Sequence, residues 1–539
     1  MTNSHFNRRN FLRWSGLGAA LLATGGAGAL LSACSTEPAA ATATTAAATA
    51  TGGALPTVTP APTTAALKRA LDAEYSLRAT PTSVSIFPGK ETNVWAYRGK
   101  PLGGDPASLQ PVGDSYLGPT FRVKKGQRIR INFTNELPEE SITHWHGFHI
   151  PDDMDGHPRF AVGSGESYTY EFDILNRAGM YWYHPHPHGR TGPQVYGGMA
   201  GLFIVSDDEE AALGLPAGDY DIPLVLQDRV VDNDNQLVYL PNGMMDQMMG
   251  FLGNRLLVNG KPEMELSVER RAYRLRFLNG SNSRIYKLGW ADGTPLTVIG
   301  TDGGLLEKPV QRNYVTLAPA ERIELWVDFS RWELGSELTL KSLPFFGATP
   351  GNGSGVPNGA EFSVLTVKVA KEATENPTLP ETLTPIPRYR AEDAVNGDTP
   401  RRFEIAMARM QWLLNGRTFE MTATAPNEVV KLDTLEMWEF VNTSGGMGMM
   451  GGGMAHPMHV HGLQFQVVER QVASQHRSAW ESVSEGYVDE GWKDAVLLMP
   501  GERVKLLMKF EDFTGLYLYH CHNLEHEDMG LMRNYRVEA

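Results

Sequence analysis

Four short segments of the chain carry histidines in alternating pairs: His144-Trp-His146, His184-Pro-His186, His459-Val-His461 and His520-Cys521-His522. The 539 residues include 15 histidines, most of them in these few segments, and clustering of that kind points to metal. Residues i and i+2 of a β-strand face the same way, so each pair offers two imidazoles to one site. Eight imidazoles from four strands can hold more than one metal ion. In the last segment the same alternation sends His520 and His522 to one side and Cys521 to the other, which implies a second site on the same strand. His526, five residues after the cysteine, and His456, three before His459, are placed to complete a two-histidine, one-cysteine set. With a weak axial group this is the blue-copper arrangement. Electrons can then cross from the Cys521 sulfur through its backbone to either flanking histidine.

The elements that must position these side chains read as strands. Arg128-Ile-Arg-Ile-Asn-Phe133 alternates ahead of the first pair, Tyr181-Trp-Tyr183 precedes the second, and Leu516-Tyr-Leu-Tyr519 precedes the last. Strand-like runs broken by Gly, Pro, Asn and Asp recur along the body, without long helical periodicity, and this predicts an all-β sandwich assembly.

At these residues the chain resembles the multicopper oxidases, the family of laccases, bilirubin oxidases and cuprous oxidases. All four family motifs are present in order, and the match runs from about residue 80 to the end. The resemblance implies an all-β fold of three cupredoxin-like Greek-key β-sandwich domains, expected at 67–208, 209–375 and 376–539. A proline-rich linker from Pro377 to Pro387 marks the second boundary. It also implies four copper ions. His456, Cys521 and His526 match the type 1 ligands, and His144 and His459 match those of type 2. The type 3 pair matches His146, His184, His186, His461, His520 and His522. His149, His157, His188 and His476 match no ligand position and are expected to be structural or solvated, while His5 falls in the N-terminal signal.

Reducing dioxygen to water consumes four protons, so acids are expected beside the imidazoles. Asp155 and Glu527 match the family's carboxylates there; Asp494 also matches, and a structural role is expected for it. Bacterial relatives usually carry an axial methionine ten residues beyond the cysteine, where this chain has Leu531, followed by Met532. Loss of a thioether favours Cu(I) and predicts a raised potential; a one-residue shift that brings in Met532 is the competing reading.

The function implied is one-electron oxidation of phenols or aromatic amines, laccase-like, coupled to four-electron reduction of dioxygen. The alternative is a cuprous oxidase for copper tolerance. It is suggested by Met244, Met245, Met248 and Met249 and by Met447, Met449, Met450, Met454 and Met458 around His456, since thioethers suit Cu(I). Methionine is equally a pliable apolar filler. A non-catalytic copper-binding or structural relative is the rival from a different class, but such proteins lose cluster ligands and none is missing here. A two-domain copper nitrite reductase lacks the full set of four pairs.

Hydrophobic residues at 42% and charged residues at 20% indicate neither a disordered nor a membrane-spanning body. Arg8 and Arg9 before Phe11-Leu12 resemble a twin-arginine export signal, and Leu31-Ser32-Ala33-Cys34 resembles a lipobox. The expected order is a signal at 1–33, a lipid anchor at Cys34, and an Ala/Thr/Pro-rich tether at 34–66 that cannot bury a core. The body is then an extracytoplasmic monomer that touches membrane only through that lipid. Removing residues 1 to 33 leaves 62 acidic residues against 45 basic, which makes nucleic acid an unexpected partner. Cys521 is the single cysteine of the body, so packing and bound metal must stabilise it in place of a disulfide.

Overall fold

The computed structural model describes residues 69–349, 355–443 and 453–539. The expected signal, lipobox and tether lie outside these residues, as do Met447, Met449 and Met450. Among the described residues no helix is long and apolar enough to cross a membrane.

Among the described residues thirty strands form six sheets, which fall into three pairs along the chain. A four-stranded and a five-stranded sheet take their strands from residues 73–206. A six-stranded and a five-stranded sheet follow from 221–371, and two five-stranded sheets come from 401–538. Each pair encloses its own apolar core. The physical basis is visible in Arg128–Asn135, where Ile129, Ile131 and Phe133 are buried and the intervening residues are half-buried. The expected alternation is thus realised as one core face and one wetter face.

The metal-motif strands depart from that pattern, because all seven residues of Gly179–Pro185 are buried. Tyr181 and Tyr183 face the core of the first sheet pair, while Met180 and Trp182 join a separate cluster with Val225, Leu257, Leu278, Ala320 and Ala495. That cluster draws on all three sheet pairs. The strand is therefore sealed on both sides, and its histidines lie in the interior rather than at the surface.

Candidate metal centre

Strand register builds the site. Thr143–His146 pairs antiparallel with Gly179–Pro185 so that His144 opposes His184. His456–Val460 pairs antiparallel with Gly515–Cys521 so that His459 opposes His520 and Met458 opposes Cys521. Directly opposed residues share a face of an antiparallel pair, so each pair of strands carries one histidine face. The two faces meet: the His144 ring stacks on His461 at 3.8 Å, and His146 stacks on His459 at 3.7 Å. Six of the further ring contacts define two triads. His146, His184 and His522 lie 5.0–5.7 Å apart, and His186, His461 and His520 lie 5.0–5.1 Å apart. All eight histidines are buried.

Hydrogen bonds decide which nitrogens point inward. His144 Nδ1 donates to the Asp155 carbonyl at 2.6 Å and His459 Nδ1 to the Asp494 carbonyl at 2.7 Å, since a carbonyl can only accept. Their Nε2 lone pairs therefore face each other, 3.4 Å apart. Nε2 of His520 is likewise turned to Nε2 of His461 at 3.0 Å and of His186 at 3.3 Å. His146 Nδ1, His184 Nε2 and both nitrogens of His522 are buried without a protein partner. Burial first, and repulsion from neighbouring cationic groups second, lower His146, His184 and His522, His184 to about 3. They are accordingly neutral. Neutral lone pairs converging in a dry interior repel one another unless a cation lies among them, so the donor set fits soft or borderline metal ions.

Two aspartates hold this arrangement in the same way. Asp155 binds His144 through its carbonyl and His461 Nδ1 through its carboxylate at 2.7 Å; Asp494 binds His459 through its carbonyl and His146 Nε2 through its carboxylate at 3.1 Å. Orienting partners of this kind fix ring tautomer and direction. Asp494 thus bonds to two chamber imidazoles. Its carboxylate is gripped by the buried Arg322 of the middle sheet pair, at 2.6 and 2.5 Å. Burial pushes the Asp494 carboxyl up and the guanidinium draws it back. Asp155 has no such partner, and burial, reinforced by Asp152, holds its carboxyl well above the usual range. Glu527 lies 3.1 Å from His520 Nδ1 and 3.5 Å from His186 Nε2. Burial would raise it, but those two imidazoles draw it down, to about 2. Close backbone approach is needed here: Gly156 has φ +83° and its absent side chain would collide with the backbone of Thr143 and His144, while a Cβ on Gly147 would sit 2.5 Å from the Asp494 carboxylate.

Cys521 lies on the opposite face of its strand. Its Sγ is 3.4 Å from His456 Nδ1 and 3.8 Å from His526 Nδ1. His526 Nε2 donates to the Met248 carbonyl at 3.1 Å, which leaves Nδ1 as a lone pair toward the sulfur. Burial pushes the thiol up, so a thiolate here requires a cation beside it. Trp412 covers both rings, at 4.7 Å from His456 and 4.6 Å from His526. Leu531 packs in the same apolar cluster as Cys521. Met532 opposes His520 across the strand pair and packs instead with Phe419 and Leu518. Register thus turns Met532 away from the sulfur and leaves Leu531 on the Cys521 side of the sheet.

The remaining described histidines stay out of these groups. His149 bridges the Gly462 carbonyl and Asp512, His157 donates to Asn534, and His188 is exposed beside Phe419. His476 lies in the short helical turn before Arg477–Ser484. Sequence reasoning missed Arg322, Trp412 and the Met248 carbonyl. An arginine in the apolar run Leu317–Asp328 was the available signal for the first, and nothing local marks the other two.

Paired β-sandwich sheets, a buried chamber of eight imidazoles and a Cys-His-His site behind the same strand define a cupredoxin-type oxidase. Comparison with known proteins agrees. The Multicopper oxidase family profiles match residues 93–210 and 394–539. The laccase of Bacillus subtilis is 30% identical over 483 residues, covering 79% of this chain and 90% of the relative. The bilirubin oxidase of Albifimbria verrucaria is 31% identical over 425 residues, 77% and 70% of the two chains. The crystal structure of McoA multicopper oxidase from Aquifex aeolicus superposes with a TM-score of 0.73 at 36% identity, covering 86% and 96%. The chain belongs to the multicopper oxidase family. It is a copper-dependent oxidoreductase that uses oxygen as acceptor, and its fold is all-β and cupredoxin-like.

Proposed function

We propose that the protein is a laccase-like oxidase that takes single electrons from phenols or aromatic amines and reduces dioxygen to water with four of them. One observation carries this reading: Cys521 and the His520–His522 pair stand back to back on one strand, so two sites share a covalent path of a few bonds. In it, His456, Cys521 and His526 hold a type 1 copper, and His144 and His459 hold a type 2 copper. The triads His146, His184, His522 and His186, His461, His520 hold the type 3 pair. The coppers supply one-electron storage and the site of oxygen reduction. The chain supplies orientation through Asp155 and Asp494, and proton transfer through Asp155 and Glu527, whose carboxylates touch ligand imidazoles. Three domains, 67–208, 209–375 and 376–539, belong to the same reading. So do twin-arginine export and a lipid anchor at Cys34, which rest on the Arg8-Arg9 and Leu31–Cys34 motifs, and a monomeric extracytoplasmic body.

A second reading, oxidation of Cu(I), is favoured by one contact. Met244 and Met245 are 60% and 48% exposed on the helix Met244–Met249, whose Met248 carbonyl accepts from His526. A cuprous ion bound there would be one hydrogen bond from a type 1 ligand. Steady-state oxygen uptake by the copper-loaded protein, with a phenol and with Cu(I), each with and without added Cu(II), separates the two. Fast phenol turnover without added Cu(II) supports the laccase reading. Faster Cu(I) turnover, or a phenol rate that needs extra copper, supports the other, and no uptake from any donor overturns both.

A further inference from the structure

Trp145 occupies on Thr143–His146 the position that Cys521 occupies on Gly515–Cys521: it stands between two chamber histidines, and alternation throws it to the far side of the strand. Its indole is fully buried in the core of the first sheet pair. Five rings surround it, and three of them, Phe121, Phe172 and Phe203, are phenylalanines, the hardest aromatic side chains to oxidise. Of the two tyrosines, Tyr183 leads at 5.1 Å to Tyr97, which is fully buried. The other branch reaches water. Tyr170 lies 5.1 Å from Trp145 at 89°, and Tyr168 lies 5.0 Å from Tyr170 at 57°. Tyr168 is half-buried on Ser167–Asp173, the edge strand of its sheet, and its hydroxyl donates to the Asp153 carbonyl.

We propose that Trp145, Tyr170 and Tyr168 form a second electron path, from the protein surface to the histidine chamber, that fills the chamber when oxygen reacts before four electrons have arrived through Cys521. The inference rests on the reading of that chamber as the oxygen-reducing site. An oxidising equivalent left there takes one electron from the Trp145 indole. Tyr168 refills Trp145 by one electron across Tyr170, which is buried and bonded to the Thr143 amide, and releases its phenolic proton to water. The Tyr168 phenoxyl radical is then returned to the phenol by one electron and one proton from an external donor of the same class as the substrate.

Trp182 shows what the path protects. Its ring lies on the chamber side, 4.3 Å from His184, 5.1 Å from His146 and 5.5 Å from His522, and among the described residues it touches no other aromatic ring. A hole arriving there has no route outward and ends in oxidised tryptophan.

The test compares the copper-loaded protein with Tyr168→Phe, a change that removes one hydroxyl at a sheet edge. With saturating phenol, both should consume oxygen at the same rate. No uptake by either overturns the oxygen-reducing reading and the relay with it. With donor limiting, rapid freezing after mixing with oxygen should trap a tyrosyl radical by electron paramagnetic resonance in the parent protein, and that signal should be lost in Tyr168→Phe. Peptide mass mapping after repeated donor-limited cycles should show several-fold more oxidised Trp182 in the variant. Normal uptake with no tyrosyl signal in the parent, or equal Trp182 oxidation in the two proteins, overturns the relay alone.

Discussion

On the Cys521 face of the Gly515–Cys521 strand, burial is the only influence on His456, which it lowers to about 3. Leu531, Met454 and Met458 share an apolar cluster with Cys521, Trp412 covers both rings, and among the described residues no carboxylate bonds to either imidazole ring. On the His520 face every influence is present at once: like imidazoles, two aspartates, Glu527 and a buried arginine. One face therefore suits an electron that moves without a proton, and the other suits chemistry in which electrons and protons must arrive together. The lesson is that a single strand can divide redox from proton work, because adjacent residues look into different solvents.

The strongest way to break this comparison is Cys521→Ser. Oxygen uptake with a phenol should fall at least about a thousandfold, since residues that act as one unit fail together. The intense blue absorption should vanish while copper analysis still finds metal in the chamber. Uptake that survives would mean that the two faces are not in series.

Next in size are the chamber acids. Asp155→Asn and Glu527→Gln should each lower kcat by about a hundredfold, the low end for a positioned proton donor or acceptor. The blue absorption should stay largely unchanged, because neither carboxylate bonds to His456, Cys521 or His526. Asp494→Asn should instead act on metal retention, weakening chamber copper by about tenfold or more in competition with a chelator. A spectral change at the Cys521 site in any of these variants would blur the division.

Leu531→Met sharpens the apolar face itself. A thioether at that position should lower the reduction potential in a redox titration and slow weak phenolic donors a fewfold, leaving the chamber untouched. An unchanged potential would show that Leu531 does not face the metal.

The smallest effect belongs to a histidine outside both sites. His157 accepts from the Arg159 amide at Nδ1 and donates to Asn534 from Nε2, which fixes it neutral, and burial lowers it to about 3. Above the unfolded value of about 6.5 the imidazole is neutral in both states. Below it the unfolded chain binds a proton that the folded chain refuses, so stability falls as pH drops from there toward about 3, by about 1.4 kcal/mol per unit. Urea midpoints measured between pH 4 and 7 should fall less steeply in His157→Gln than in the parent, and parallel slopes would remove His157 from the account.

The all-β class and the pairing of imidazoles beside one thiol were legible from local spacing, because strand alternation is a two-residue rule and each motif is complete within a few residues, whereas Asp155 and Glu527 were expected from the family resemblance. The side of the strand taken by Cys521 follows from that rule alone. Which of Leu531 and Met532 shares the Cys521 face was not legible. Leu531 and Met532 are neighbours, and only the register that sets Met532 opposite His520 separates them. The bond of Asp494 to His146 was not legible either, since it spans 348 residues.

By itself, the sequence determined the kind of chemistry: imidazole and thiol in period-two pairs, which any strand would present to two sides. Tertiary structure alone decided the grouping. The division of six imidazoles into two triads, the stacking of His144 on His461 and of His146 on His459, and the reach of Arg322 to Asp494 all depend on how separate sheets pack. The reason is one of range, for alternation is set by backbone sterics between adjacent residues, whereas the meeting of two histidine faces is set by the burial of apolar surface contributed by all three sheet pairs.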